Sequence, residues 1–197
     1  MIGSAKSSKD TSSTTTSWPY YSQPQQPQPP QQRQSVRCAA AAGAAAGIDT
    51  VFTSVTLNTL AANVENAVLM GGGNLNVRGN GADNHLVGND ALNILWGGEG
   101  QDWLEGGGGN DSLLGESGND TLDGGQGADT VYGDAGHDAI LGGADNDLLY
   151  GGSGNDTAYG TMGHDTIDGG AGADRLFGEI GNDDIFGGSG ADLVEGG

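Results

Sequence analysis

From Gly79 onward, glycine returns every nine residues without a slip: Gly79, Gly88, Gly97, Gly106, Gly115, Gly124, Gly133, Gly142, Gly151, Gly160, Gly169, Gly178 and Gly187, with Gly196 opening a further step. No other feature constrains the fold as strongly. The eighth residue of every step is apolar, as in Leu104, Leu113, Leu122, Val131 and Ile140. The sixth is Asn84, then Asn93, then aspartate eleven times in succession: Asp102, Asp111, Asp120, Asp129, Asp138, Asp147, Asp156, Asp165, Asp174, Asp183 and Asp192. The fourth is glycine in ten of the thirteen steps, the exceptions being Ala82, Ala91 and Asp145. A fixed short period marks a stack of small units, each unable to bury its apolar face alone. No helical pattern follows any of the glycines, which also argues against a nucleotide-binding loop.

The residue types divide each step into two parts. Glycines at positions one, two and four suit a tight turn and close approach of backbones. The first six positions are therefore expected to be turn. The last three, x-apolar-x, are expected to be a short strand with one inward side chain. Two steps make a flattened circuit of eighteen residues, and successive circuits stack about 4.8 Å apart as parallel strands. Thirteen steps predict a stack of roughly 31 Å. Its core is a single file from each of two sheets, Leu86, Leu104, Leu122, Ile140, Ala158, Leu176 and Val194 on one, and Leu95, Leu113, Val131, Leu149, Ile167 and Ile185 on the other. Burying one such side chain stabilises by about 1.5–3 kcal/mol. Ordering each residue of its unit costs about 1–2 kcal/mol of backbone entropy. One aliphatic residue in nine cannot win that balance, so something else must hold the turns.

Residues eighteen apart lie above one another. Asp102, Asp120, Asp138, Asp156, Asp174 and Asp192 form one column, and Asp111, Asp129, Asp147, Asp165 and Asp183 the other. Carboxylates stacked about 5 Å apart repel unless a cation lies between them, and calcium takes six to eight hard oxygens from carboxylates and carbonyls. The cleanest unit, GGGGNDSLL from Gly106 to Leu114, has the form Gly-Gly-x-Gly-x-Asp-x-Leu-x. It resembles the haemolysin-type, or RTX (repeats-in-toxin), calcium-binding nonapeptide repeat. That resemblance implies an all-β, right-handed parallel β-roll with Ca2+ held between successive turns on each edge. The implied ligands are the eleven aspartates together with turn glycines Gly98, Gly100, Gly107, Gly109, Gly118, Gly125, Gly127, Gly136, Gly152, Gly154, Gly163, Gly170, Gly172, Gly181, Gly188 and Gly190. Gaps between neighbouring aspartates allow up to about five ions on the first column and about four on the second, about nine in all. Asn84 and Asn93 carry no charge, so the first coils are expected to bind weakly or not at all. Asp145 stands where a turn glycine belongs and is expected to weaken or rearrange the sites around Asp147.

Charge is distributed as this reading requires. The chain of 197 residues carries a net charge of −20, with 26 acidic and 6 basic residues. Residues 79–197 hold 23 of the acids against the single base Arg175. A block this acidic excludes nucleic acid and anionic membrane as partners. Residues 1–48 read as a disordered Ser/Thr/Gln/Pro-rich head with an Ala/Gly linker, and residues 49–78 as a degenerate N-terminal cap. Carrying the register back places Val77 and Val68 at position eight and Asn66 at position six. The lone Cys38 cannot form an internal disulfide. Neither a membrane span of about 20 apolar residues nor a signal peptide is found; the RTX resemblance implies a secreted, extracellular location, reached by a signal-peptide-independent route.

No catalytic constellation is present, and an enzymatic role is not expected. His85, His137 and His164 do not cluster by register, and the last two read as solvated turn residues. The leading function is a calcium-folded secretion or scaffold module. The alternatives are a non-catalytic fragment of a larger RTX protease, lipase, epimerase or cytolysin, or a surface-adhesion solenoid. One outer face is the more apolar, carrying Ile94, Trp96, Leu114, Tyr132, Leu148, Tyr150 and Phe186. Such a patch suits a partner domain or second roll on the Trp96/Tyr132/Tyr150 face, or cross-strand reinforcement of the sheet itself.

Overall fold

The computed structural model describes residues 36–38 and 47–197. Most of the segment read as disordered head and linker lies outside these residues, as does the side chain of Cys38. The described residues contain seventeen strands and no helix. They are β1 (Val36–Cys38), β2 (Thr50–Thr53), β3 (Asn66–Leu69), β4 (Asn76–Arg78), β5 (His85–Val87), β6 (Ile94–Glu99), β7 (Trp103–Gly108), β8 (Ser112–Ser117), β9 (Thr121–Gln126), β10 (Thr130–Ala135), β11 (Ala139–Ala144), β12 (Leu148–Ser153), β13 (Thr157–Met162), β14 (Thr166–Ala171), β15 (Arg175–Ile180), β16 (Asp184–Phe186) and β17 (Leu193–Glu195). They form a parallel β-solenoid. One sheet has ten strands in the order β1-β2-β3-β5-β7-β9-β11-β13-β15-β17, and the other has seven in the order β16-β14-β12-β10-β8-β6-β4. Partners in the repeat are offset by eighteen residues, as in Val131↔Leu149 and Leu104↔Leu122. Only β1 is antiparallel, pairing Val36–Cys38 with Val51–Thr53. It lies in the expected head, and its pairing covers an edge that β2 would otherwise leave open.

The strands are longer than expected. From β6 to β15 each runs six residues, through positions seven to nine and on through positions one to three. Glycines at positions one and two do not end the strand, because facing glycines pair with one another, as in Gly107↔Gly125. The true turn is only positions four to six. Position one is glycine for space alone. A Cβ on Gly151 would lie 2.6 Å from the Asp156 carboxylate and 2.6 Å from the Gly169 carbonyl.

The core is the single file expected. Every position-eight side chain from Leu86 to Leu176 is fully buried. The file opens at the last coil, where Val194 is 46 % exposed. The strands of residues 49–78 belong to the same two sheets, but their register differs from the extrapolated one. Ala67 and Leu69 are buried and Val68 is not. Ala67 pairs with Leu86, nineteen residues on, so Ala67 takes position eight and Asn66 position seven. The run Gly71-Gly72-Gly73 lies between β3 and β4, with open space at all three, and absorbs the extra residue. Outward rings stack along the sheets, with Tyr132 on Tyr150 at 4.9 Å and Tyr159 on Phe177 at 4.8 Å.

Candidate metal centre

The aspartates end the three-residue turns that join the sheets. Asp102, Asp120, Asp138, Asp156 and Asp174 precede strands of the ten-stranded sheet, and Asp111, Asp129, Asp147 and Asp165 precede strands of the other. All nine are buried to 3 % exposure or less. One oxygen of each carboxylate is satisfied. Asp120 Oδ1 accepts the backbone N–H of Asp102 at 2.8 Å, and Asp138 Oδ1 accepts that of Asp120 at 2.8 Å. The ladder continues on both edges and lengthens toward the end, reaching 3.1 Å between Asp174 N–H and Asp192 Oδ1. These bonds confirm the stacking of residues eighteen apart.

The other oxygen has no partner. Oδ2 of ten aspartates, Asp102 through Asp183, is buried without a hydrogen bond. A buried polar atom left unsatisfied costs about 1–3 kcal/mol, more when charged. Burial accordingly pushes the carboxyls of Asp102, Asp129, Asp138 and Asp147 up to about 7 and that of Asp111 to about 6. The backbone N–H on Oδ1 acts in the opposite direction, and for Asp102, Asp129, Asp138 and Asp147 neighbouring carboxylates add to the rise. Asp120, Asp156, Asp165 and Asp174 are raised for the same first reason.

A backbone carbonyl of the next coil lies near Oδ2. Above Gly151, Oδ2 of Asp156 and the Gly169 carbonyl of the next coil approach the same point, each 2.6 Å away. At position four the carbonyl oxygens stack along the axis. A Cβ on Gly118 would overlap the carbonyl of Gly100, and Gly118 itself has φ 150°. Among the described residues no backbone N–H bonds to the carbonyls of Gly100, Gly118 or Gly136. Among the described residues no three His, Cys, Asp or Glu side chains converge on one point. The oxygens available to a cation here are those of the carboxylates and of the backbone carbonyls. That set, anionic and all oxygen, fits a hard ion such as Ca2+.

A protein-family model of the RTX calcium-binding nonapeptide repeat matches residues 78–113, 105–140, 123–158, 132–167 and 159–194. The matches together cover more than half of the chain. The chain belongs to this family. No curated protein sequence matches it.

The RTX aspartates expected from sequence thus sit in two real columns, and their buried, unpartnered oxygens fit the calcium binding of the family. Of the turn glycines expected as ligands, all but Gly181 have left-handed backbone, as at Gly98 (φ 118°) and Gly100 (φ 117°). Asp145 adopts the left-handed backbone of a turn glycine, φ 80°, and its carbonyl lies beneath Gly163 as the position-four carbonyls of other coils do.

The two asparagine rungs differ in kind. Asn84 Oδ1 accepts the Asn80 N–H at 2.7 Å, and its Nδ2 donates to the Glu65 carbonyl at 3.1 Å. Asn93 Oδ1 accepts the Asn89 N–H at 2.7 Å, and its Nδ2 donates to the Leu75 carbonyl at 2.8 Å. Position two is left-handed in all eleven aspartate steps and in neither asparagine step.

Sequence reasoning missed a second ladder at position five. Asn119 Oδ1 accepts the His137 N–H, His137 Nδ1 accepts the Asn155 N–H, and Asn155 Oδ1 accepts the Ala173 N–H. On the other edge Asn146 Oδ1 serves the N–H of His164, whose Nδ1 serves Asn182. Both histidines are exposed, as expected, but each links two coils. The recurrence of asparagine at position five was the available signal.

Proposed function

We propose that this RTX roll is a secreted module whose folding is switched by calcium and which acts as a folding, secretion or scaffold element. The observation that carries the reading is the series of ten buried Oδ2 atoms without a donor. A hard divalent cation supplies the positive charge these oxygens lack. Without it, stacked carboxylates repel across each rung, and one aliphatic side chain per nine residues cannot hold the turns. The chain then stays extended where calcium is scarce, which suits export, and folds where calcium is plentiful. Extracellular calcium modules bind at about 10⁻⁴–10⁻³ M. The strict nine-residue recurrence of the acids supports a binding role rather than a catalytic one, whether the roll acts alone or beside a catalytic domain of a larger protein.

Circular dichroism in a calcium titration tests the proposal. A largely unstructured spectrum in chelator and a cooperative rise in β-structure near millimolar calcium are expected. The same β-rich spectrum in both conditions would overturn it.

A further inference from the structure

The two outer faces of the roll differ in charge. Along each strand positions seven and nine point outward, on either side of the buried position eight. On the ten-stranded sheet these positions include Glu105, Asp123 and Arg175. On the seven-stranded sheet the eight outward residues of β6, β8, β10 and β12 include no charged side chain. All but Ser112 and Thr130 are aromatic or large aliphatic residues, and Leu148 among them is 41 % exposed. In a chain of net charge −20, this is the side on which two copies meet with least repulsion.

The order of residues on this face is self-complementary. Its strands run β4-β6-β8-β10-β12-β14-β16. A two-fold axis parallel to the strands, midway between β8 and β10, reverses that order and sets like positions opposite one another. Leu114 then faces Tyr132, Trp96 faces Tyr150, and Ile94 faces Leu148. At the rim Arg78 on β4 faces Asp168 on β14. The Arg78 side chain is 45 % exposed and donates to both oxygens of Glu116 through the single nitrogen Nη2. Phe186 on β16, 57 % exposed, faces the coil before β4, where Leu57 bridges Val77. That coil borders a hollow of about 200 Å³ lined by Thr56, Leu57, Asn58, Asn76, Arg78 and Trp96.

We propose that the seven-stranded face is a docking surface for a second copy of this chain, so that two rolls pack sheet on sheet as a two-fold dimer. The dimer needs the folded roll and therefore rests on the calcium reading above. Facing sheets lie about 10 Å apart, a gap that opposed aromatic and aliphatic side chains fill. Seven strands about 4.8 Å apart span about 29 Å, and strands of six residues run about 20 Å. The footprint is roughly 600 Å² per copy, at the lower end of specific interfaces, so the dimer is reversible and depends on concentration. Stacking of Tyr132 on Tyr150 within one copy, at 4.9 Å, reinforces the sheet. It does not account for the absence of charge, nor for Arg78 and Asp168 standing at opposite ends of the uncharged strands.

Sedimentation velocity of the full chain over a concentration series, in millimolar calcium and about 0.15 M salt, tests it. The wild type should pass from monomer to dimer within about 1–100 µM. Leu148→Lys puts a charge into the contact without opening the core and should weaken association roughly tenfold or more. Ile94→Glu should do the same. The two together set opposite charges against each other across the two-fold axis and should restore the dimer. Within one copy these residues lie three strands apart, about 14 Å, too far to pair. Leu141→Lys, 39 % exposed on the other sheet, should leave association unchanged. Circular dichroism in calcium should be the same for all of them. A wild type that is β-rich in calcium yet monomeric throughout would overturn the dimer and leave the calcium reading in place. So would weakening by Leu141→Lys but not by Leu148→Lys, or a double variant that associates no better than the single ones. A wild type without β-structure in calcium would overturn both.

Discussion

The asparagine rungs at Asn84 and Asn93 and the aspartate rungs that follow occupy the same place in the coil yet solve opposite problems. In an asparagine rung the side chain supplies both an acceptor and a donor. Its oxygen takes the N–H of position two, and its nitrogen reaches a carbonyl of the preceding coil. Asn80 and Asn89 at position two add bonds of their own to Val64 O, Ala82 N–H, Gly73 O and Ala91 N–H. Nothing is left over for an ion. In an aspartate rung one oxygen reaches the previous backbone N–H, and the other faces oxygen. Asparagine at position six, together with an asparagine at position two that is not left-handed, accompanies a turn closed by the chain itself, whereas each aspartate turn from Asp102 to Asp183 leaves one carboxylate oxygen buried without a partner. The asparagine rungs come first, before the aspartate rungs, and their side-chain amides are hydrogen-bonded within the chain.

Chelation should break the comparison most visibly. Near neutral pH in chelator, hydrogen exchange should leave residual protection only within residues 66–96, while residues 100–197 exchange freely. Equal exchange across both regions, or protection centred on the aspartate rungs, would show that the asparagines do not close their turns independently.

Acid should act on the aspartate rungs alone. In the calcium-free roll the carboxyls of Asp102, Asp129, Asp138 and Asp147 rise from 3.8 to about 7. The folded state then holds protons that the unfolded chain has released between those values. Stability of the calcium-free roll is therefore greatest below about pH 4 and falls as pH rises toward 7. Circular dichroism in chelator should show β-structure appearing on acidification over that window. With calcium present the direction reverses, because ionised carboxylates are what the ion requires. A calcium-free spectrum that does not change between pH 7 and 4 would contradict the burial of these groups.

Asn93→Asp sharpens the comparison at a single atom. It removes the 2.8 Å donation to the Leu75 carbonyl and sets oxygen against oxygen. A loss of about 1–3 kcal/mol is expected in the absence of calcium, seen as a higher calcium midpoint with an added ion in calorimetry. An unchanged midpoint and stoichiometry would mean that position six does not decide the character of the rung.

The period of nine was sufficient to reach the β-solenoid, the eighteen-residue offset, the single-file core and the two aspartate columns. It was sufficient because each depends only on which residues recur and how far apart, and a repeat converts spacing directly into stacking. Strand length was not legible. Glycine at positions one and two signals a turn in an isolated peptide, whereas here glycine faces glycine in the next coil and the ladder continues through it. The register of the cap was hidden for a related reason, since the extra residue between Ala67 and Val77 lies among three glycines that leave no pattern. The asparagine rungs could be read as uncharged, but not as self-closed, because their partners at Glu65 and Leu75 lie in the preceding coil. The unpartnered Oδ2 atoms likewise exist only once neighbouring coils have excluded water and presented carbonyls in place of donors. Sequence alone determined which groups recur on each edge. Tertiary structure decided which of their atoms are satisfied, because hydrogen-bond partners here come from residues about eighteen positions away, and spacing names the neighbour but not the atom that faces it.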